Sequence, residues 1–500
     1  MNRETTNDKA HRIHPLWIVY SIGKSVKELV FFVIGLMIYI RSDSDSDSIF
    51  FKLGVLAGIL YLIYIVVSVL LEWFHFKYLF TETELCIHEG RFILASRYIP
   101  LERIQGISRN TPLFHRLFGL TSLLLDTGAV GNKSSVKLEM ITCKEAERIQ
   151  KYFSHADYLE RNVSKPNEGT LEANLLEHSS RKKHYEMTSK EIFVASVTSL
   201  HLLIFISLLY TFYSNLNDFL SIDPYIEAVL SFFQKSWLLT AVGILALLVL
   251  SMAYGWGRTF IRYRNFEVTS DHHRIFIKKG LFHQTEFSIP KEKVEAIILN
   301  TKFLQKILGI VEVRIVSTAE EDDEEMKTAN ILFPFIHKNK ALLLISEILP
   351  TFKVETDMVN LPRSAIFVKL VRTSYIWIAA GAIFYFWPRL WYVPLAFLVL
   401  THTSQLLSGL SNGYKIRGPF IQLQSGSFST KLFITTRMKI EELKVTESVL
   451  QRKFGLASLE IFTRSKSVQV SKISDIPKDV AISCYQWYGK NGGNKGSCIE

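Results

Sequence analysis

Cysteine is scarce in this 500-residue chain: Cys86, Cys143, Cys484 and Cys498 are the four, with no CxxC and no metal-ligand spacing. That argues against a disulfide framework or a thiolate zinc site, and reduced thiols in a cytosolic setting are expected. Charged residues are also few, at 21%. HExxH, P-loop and other phosphate-cradling motifs are missing, so the sequence offers no cofactor, no metal site and no catalytic residue. The first ten residues are polar and the next apolar run lacks a small-residue cleavage pattern, so no cleavable signal peptide is expected.

Apolar residues fill the space that charge leaves. They make up 48% of the chain, with 35 Phe and 20 Tyr, a profile that fits a chain partly dissolved in lipid. Spanning a bilayer takes about 20 apolar residues. Ile49–Leu71, Ile192–Tyr213, Ser236–Trp256 and Leu390–Leu410 qualify, and Val26–Ile40 and Ala365–Trp387 are weaker, with charges at one end. Six helices in three hairpins follow, because a helical pair satisfies its own backbone inside lipid. Arg41, Lys52, Lys235 and Arg389 lie on the loop side. Many more basic residues lie on the other, among them Lys24, Lys77, Arg181, Lys182, Lys183, Arg258, Arg262 and Arg372. The excess places both termini of a multi-pass cell-membrane protein in the cytoplasm.

One phrase recurs: HRLFGLTSLL (115–124), QKILGIVEVR (305–314) and QRKFGLASLE (451–460). Fifteen positions before Gly119, Gly309 and Gly455 stand Ile104, Val294 and Ile440, and fourteen before those stand Gly90, Gly280 and Gly426. The spacings are identical while the repeat period is not, so each copy is one structural unit. Each is expected to be a small antiparallel sheet closing towards a barrel, with turn glycines, a short helix, an alternating strand and a final helix. Leu113, Leu117 and Phe118 share a face of the short helix, as do Phe303, Ile307 and Leu308, and these apolar residues are assigned to folding. His115, Gln305 and Gln451, with Arg116, Lys306 and Arg452, are expected to be exposed. The basic three are candidates for anionic lipid, against a plain solvated face.

The fold class is therefore a multi-domain membrane α+β protein, with three transmembrane hairpins (14–73, 189–257 and 353–411) alternating with three small β-barrel domains (74–155, 258–352 and 412–490). A polar linker at 156–188 ends in Arg181, Lys182 and Lys183, also set at the bilayer surface.

The stretch YIPLERIQGISRNTPLFHRLFGLTSLLLDTGAVG (98–131) resembles the bacterial pleckstrin-homology (PH) domain of type 2. The alternation of paired helices with three such domains resembles the YdbT-like membrane proteins of Firmicutes, from about His14 to about Gly489. The second copy departs through STAEEDDEEMKT (317–328), and the third has Thr436-Arg437 where the others have Ile-Pro. The resemblance implies PH-like domains and a partner, a smaller membrane protein with a single domain of this type.

Other features point less far. GLSNG (409–413) matches GxSxG but follows a membrane helix and precedes a strand, the reverse of a nucleophile elbow at Ser411. His272 and His273 are adjacent and point apart, and His11 and His14 precede Pro15. His201 and His402 fall within membrane helices, where a neutral, hydrogen-bonded histidine is the plainer expectation. GVLAG (54–58) allows close helix packing, RSDSDSDS (41–48) forms an outer loop, and Glu320–Glu325 is an acidic run suited to solvent or a basic partner. Net charge is +11, gathered at membrane edges rather than along an aromatic groove, so membrane lipid and not nucleic acid is the expected partner. The expected function is a non-enzymatic membrane scaffold, possible settings being envelope maintenance or defence against membrane-active agents. A transporter or channel component is the alternative, which needs polar groups at mid-bilayer.

Overall fold

A computed structural model describes residues 10–25, 49–81, 83–104, 106–127, 135–150, 153, 181–197, 202–220, 222–317, 330–355, 357–386, 388–463 and 470–489. The segment Val26–Ile40, RSDSDSDS, His201, the acidic run and most of the expected linker lie outside these. The chain divides into two compact units, one of residues 1–177 with 282–287, the other of 178–281 with 288–500.

Among the described residues, four helices are long and apolar enough to cross a membrane: Leu56–His75, Trp237–Tyr263, Arg363–Phe386 and Tyr392–Ser411. The third of these breaks into Arg363–Arg372 and Tyr375–Phe386. The segment expected at Ile192–Tyr213 is helical over Ser189–Val197 and Leu202–Leu220. The stretch 214–235, between the second pair of expected spans, holds a third helix, Asp223–Gln234, with Pro at its first turn. Tyr213 and Asn217 both hydrogen-bond the Asp223 carboxylate, which fixes the turn before this helix.

In the first unit, β1 (Lys77–Phe80), β2 (Glu84–Glu89) and β3 (Ala95–Pro100) form one antiparallel sheet in that order. Strands β4 (Gly106–Thr111), β5 (Leu120–Asp126) and β6 (Ser135–Thr142) pair in sequence. Leu85, Ile87 and Ile99 meet Leu123, Leu125 and Leu138 in one buried cluster. That cluster also takes in Ile13 and Trp17 at the chain's start, and Ile65 and Val69 near the end of helix Ile49–His75. The membrane helix therefore runs into the domain core.

The second unit opens with β7 (Lys182–Glu186), paired antiparallel with β8 (Glu267–Ser270), which pairs with β9 (Arg274–Lys279). The polar linker expected to reach residue 188 thus gives way to sheet at Lys182. Tyr185, Val268 and Ile277 face one another across the three strands and are buried as one apolar row. After β10 (Gln284–Pro290) come β11 (Val294–Thr301), β12 (Ile310–Ser317) and β13 (Ile331–His337). After β14 (Val359–Asn360), the third repeat supplies six strands, β15 (Gly413–Arg417), β16 (Phe420–Gly426), β17 (Thr430–Thr436), β18 (Ile440–Thr446), β19 (Leu456–Thr463) and β20 (Val470–Pro477).

These strands do not close into a barrel for each repeat. The strand order β13-β12-β11-β17-β16-β15-β14 forms one sheet, and β18-β19-β20 forms another. The joint between repeats is β11 against β17, antiparallel from Ala296↔Thr435 to Thr301↔Thr430. Because side chains alternate along β11, one strand serves two cores. Ala296 and Ile298 pack with Phe433, Leu459 and Ile461 in the third repeat's cluster, together with Ala365 and Val368 from helix Arg363–Arg372. Substituting Ile298→Ala should therefore loosen the third repeat although the residue belongs to the second. A loss of about 2–4 kcal/mol is expected, as for other large-to-small core changes. Hydrogen exchange in β16 and β17 should accelerate, whereas change confined to β12 and β13 would contradict the shared core.

Candidate functional site: the repeated short helix

The repeated phrase folds as a five-residue helix, at Leu113–Leu117, Phe303–Ile307 and Val449–Lys453. Each ends on the signature glycine, and Gly119, Gly309 and Gly455 have φ of 67°, 66° and 66°. A left-handed residue ends a helix and redirects the chain, which glycine does without a Cβ penalty. The turned glycine carbonyl then accepts the first N–H of the closing helix: Cys143 N at 3.2 Å, Lys338 N at 2.9 Å and Lys478 N at 2.9 Å. Gly90, Gly280 and Gly426 also have positive φ. Val294 and Ile440 are buried, and Ile104 packs against the first cluster.

The third helix position faces inward. His115, Gln305 and Gln451 are each no more than 3% exposed, against the expectation of solvent contact. Gln451 uses both ends of its amide. Its Oε1 accepts from Ser448 N at 2.9 Å, while Ser448 Oγ accepts from Gln451 N, a reciprocal cap of the helix start. Its Nε2 donates to Ser458 Oγ at 2.7 Å and Asp475 Oδ1 at 2.8 Å. Gln305 Oε1 likewise accepts from Lys302 N at 3.0 Å, but its Nε2 has no acceptor among the described residues. His115 Nδ1 lies 3.3 Å from Ser122 Oγ.

The apolar residues face outward instead. Leu117 is 78% exposed, Ile307 69% and Val449 90%, and Leu113, Phe118, Phe303, Leu308 and Phe454 are exposed beside them. Arg116, Lys306 and Arg452 stand on the same exposed surface. The faces are reversed from expectation: a buried polar residue holds the helix down and the apolar side chains point away from the core. Near them lie the ends of candidate membrane helices. Lys306 Nζ is 3.2 Å from Ser411 Oγ at the end of helix Tyr392–Ser411, and Phe454 meets Phe367 of helix Arg363–Arg372 at 5.5 Å between ring centres. In the first repeat, Tyr20 in the helical stretch 16–25 contacts both Phe114 and His115.

Beneath each helix, strand six carries a bulge, a register shift between Thr121 and Leu123, between Val311 and Val313, and between Ala457 and Leu459 on the facing strand. Met140 and Asp475, on the bulged strands, take positive φ. Each bulge is held from outside its sheet pair, by a helix end in the first and third repeats and by strand β7 in the second. Trp17 Nε1 donates to Glu139 Oε2 at 2.8 Å, Tyr185 Oη donates to the Phe335 carbonyl at 3.2 Å, and the Arg372 guanidinium binds the fully buried Asp475 carboxylate. One turn earlier, buried Lys369 donates from Nζ to Ser408 Oγ at 2.9 Å, joining the two helices of that hairpin.

The remaining candidates fall elsewhere. Lys182 Nζ pairs with Glu347 at 2.5 Å, Lys183 Nζ with Glu186 at 2.7 Å, and Arg181 stacks over Phe276. His402 is satisfied by Trp377 Nε1 at 3.2 Å and the Leu398 carbonyl at 2.8 Å. Among the described residues no three His, Cys, Asp or Glu side chains are placed to hold a metal ion. Sequence periodicity groups helix residues by face but gives no sign of which face is buried, and the bulge at Asp475 has no local signal.

Two outcomes follow from the buried groups. Arg372→Leu removes the cation from a carboxylate with no solvent access, and should destabilise the third repeat by about 2–4 kcal/mol, short of the loss for a fully buried pair because the arginine is half exposed. Thermal unfolding measures this, and Asp475→Asn in the same background should recover part of it. Burial holds the His115 imidazole below the usual histidine range. Its contribution is full above the ordinary pKa of about 6.5 and is lost as pH falls through that value towards the lower folded one. The unfolding midpoint should fall less between pH 7.5 and 5.5 in His115→Gln than in the parent chain.

The bacterial PH domain family matches the chain three times, over residues 30–157, 221–350 and 364–491. Each match takes in at least one membrane-helix segment as well as the strands behind it. The chain is 25% identical over 491 residues, covering 95% of its length and 97% of the relative, to the UPF0699 transmembrane protein YdbT of Bacillus subtilis (strain 168). No solved structure matches. The thrice-used helix, glycine and bulged strand are thus the repeated core of a recognised domain, and the chain belongs to the bacterial PH domain family.

Proposed function

We propose that this protein is a non-enzymatic, polytopic membrane scaffold. Three hairpins, 14–73, 189–257 and 353–411, carry three cytoplasmic PH-like domains, and both termini are cytoplasmic. The domains engage the inner leaflet or a partner membrane protein, including a smaller one with a single domain of this type. Envelope maintenance and defence against membrane-active agents are settings such a scaffold suits.

The observation that carries the reading is the reversed helix. Three copies of one helix each expose large apolar side chains beside at least one basic residue, close to the ends of membrane-length helices in the second and third copies. Apolar groups that enter the headgroup boundary, flanked by cations that meet anionic lipid, are the chemistry of a membrane-surface contact. Arg116, Lys306 and Arg452 are the contacts proposed. Arg181, Lys182 and Lys183 would add positive potential from the edge of the second repeat.

The test uses the full-length chain in vesicles containing anionic lipid, with an environment-sensitive fluorophore attached at Ile307→Cys or, for comparison, at Leu343→Cys on the closing helix of the same repeat. Membrane contact predicts a blue-shifted signal at 307, quenched by brominated acyl chains, and a water-like signal at 343. Water-like emission at both positions would remove the lipid contact.

A further inference from the structure

The joint between the second and third repeats follows a rule. The third strand of one repeat, β17, is completed by the fourth strand of another, β11, over six facing residue pairs. Two strands of these same kinds are left at sheet edges among the described residues. β3, the third strand of the first repeat, ends the sheet β1-β2-β3. β18, the fourth strand of the third repeat, ends the sheet β18-β19-β20. Each presents a row of backbone donors and acceptors on its outer edge, which is a template for another strand.

We propose that β18 of one copy of this chain docks antiparallel on β3 of a second copy, repeating the joint between β11 and β17. This inference rests on the scaffold reading and names its partner. The register transfers by counting, since Gly90 to Ile104 and Gly426 to Ile440 have the same spacing. It sets Leu443 opposite Tyr98 and Val445 opposite Ser96, pairing the half-buried Leu443 with an exposed aromatic ring. Glu442 falls diagonal to Arg97, within reach across the strands. Lys444 falls opposite Arg97, and each has a carboxylate of its own nearby. Glu460 is the cross-strand neighbour of Lys444, and Glu89 lies 3.6 Å from Arg97. The edges are also complementary in sign. Arg97 is the charge on β3, whereas β18 carries Glu441 and Glu442 against Lys444.

A second copy is the occupant the molecule itself points to, because one chain carries both halves of the pair. Such a contact is heterologous, so it builds rings or open arrays rather than a twofold dimer. The existing joint links two repeats that follow membrane hairpins in one chain, so the same joint between copies keeps both in one bilayer. Confinement to that bilayer raises the effective concentration of a contact of five strand pairs, Glu442–Thr446 against Ala95–Ile99.

The experiment uses full-length chains in native membranes. Ser96→Cys with one tag and Val445→Cys with another are co-expressed and oxidised with copper phenanthroline. A disulfide-linked species carrying both tags is expected, because opposed residues in an antiparallel pair lie within bridging reach. Replacing Val445→Cys by Glu441→Cys, out of register, should reduce it at least several-fold, and placing both cysteines in one chain should give a ladder of multimers. A yield at 96 and 445 no higher than that of the out-of-register pair would overturn the proposal and mark the charged edges as caps. Stoichiometric recovery of a different membrane protein, without the self cross-link, would overturn it while leaving the scaffold reading intact. Absence of both would remove the two together.

Discussion

A buried amide ties the third repeat together. Gln451 caps its own short helix, reaches Ser458 on β19 and donates to Asp475 on β20, whose carboxylate holds Arg372 at the foot of a membrane-length helix. A polar group without solvent costs free energy unless it is matched, and here every match is to a different element. Breaking one contact leaves a buried donor or charge elsewhere, so the short helix, the bulged strand and the helix foot are held to one geometry. Once the polar face is committed inward, the apolar face of the short helix has no core left to enter. Its exposure is the consequence of that commitment.

The sheets express the same economy of parts. A six-stranded PH-like repeat that closed on itself would satisfy its own third and fourth strands. Here β17 and β11 satisfy each other across repeats, and the two faces of β11 feed two cores. The helix Arg363–Arg372 joins the same cluster through Ala365 and Val368. In the second unit, the domain core and the helix that enters it are therefore one packed body.

Much of this was legible in sequence where the constraint is local. Gly119, Gly309 and Gly455 announce themselves because a left-handed residue is required at the helix end and the next strand must begin at once. Membrane-length helices announce themselves through hydropathy, and Arg363–Phe386, weak by its charges, qualifies all the same. Two of its charges have partners: Lys369 in Ser408 and Arg372 in Asp475. Direction and distance were not legible. Leu113, Leu117 and Phe118 share a face by periodicity, but an apolar face fits a core and a bilayer alike, and they lie outside the core. His115 and Gln451 look like solvent residues because their side-chain partners, Ser122, Ser458 and Asp475, lie on strands beyond the helix, and Gln305 carries no local sign of burial either. The pairing of β11 with β17 spans more than a hundred residues, and alternation within a strand says nothing about its neighbour.

The central claim is that this chain works as an assembling membrane scaffold through the surfaces its repeats present. Native mass spectrometry of the full-length protein, released from its own membranes in mild detergent, tests this most directly. The account predicts discrete species heavier than the 57.5 kDa chain, carrying further protein subunits or retained anionic lipid. A bare chain at 57.5 kDa, free of both across the concentrations measured, would contradict it.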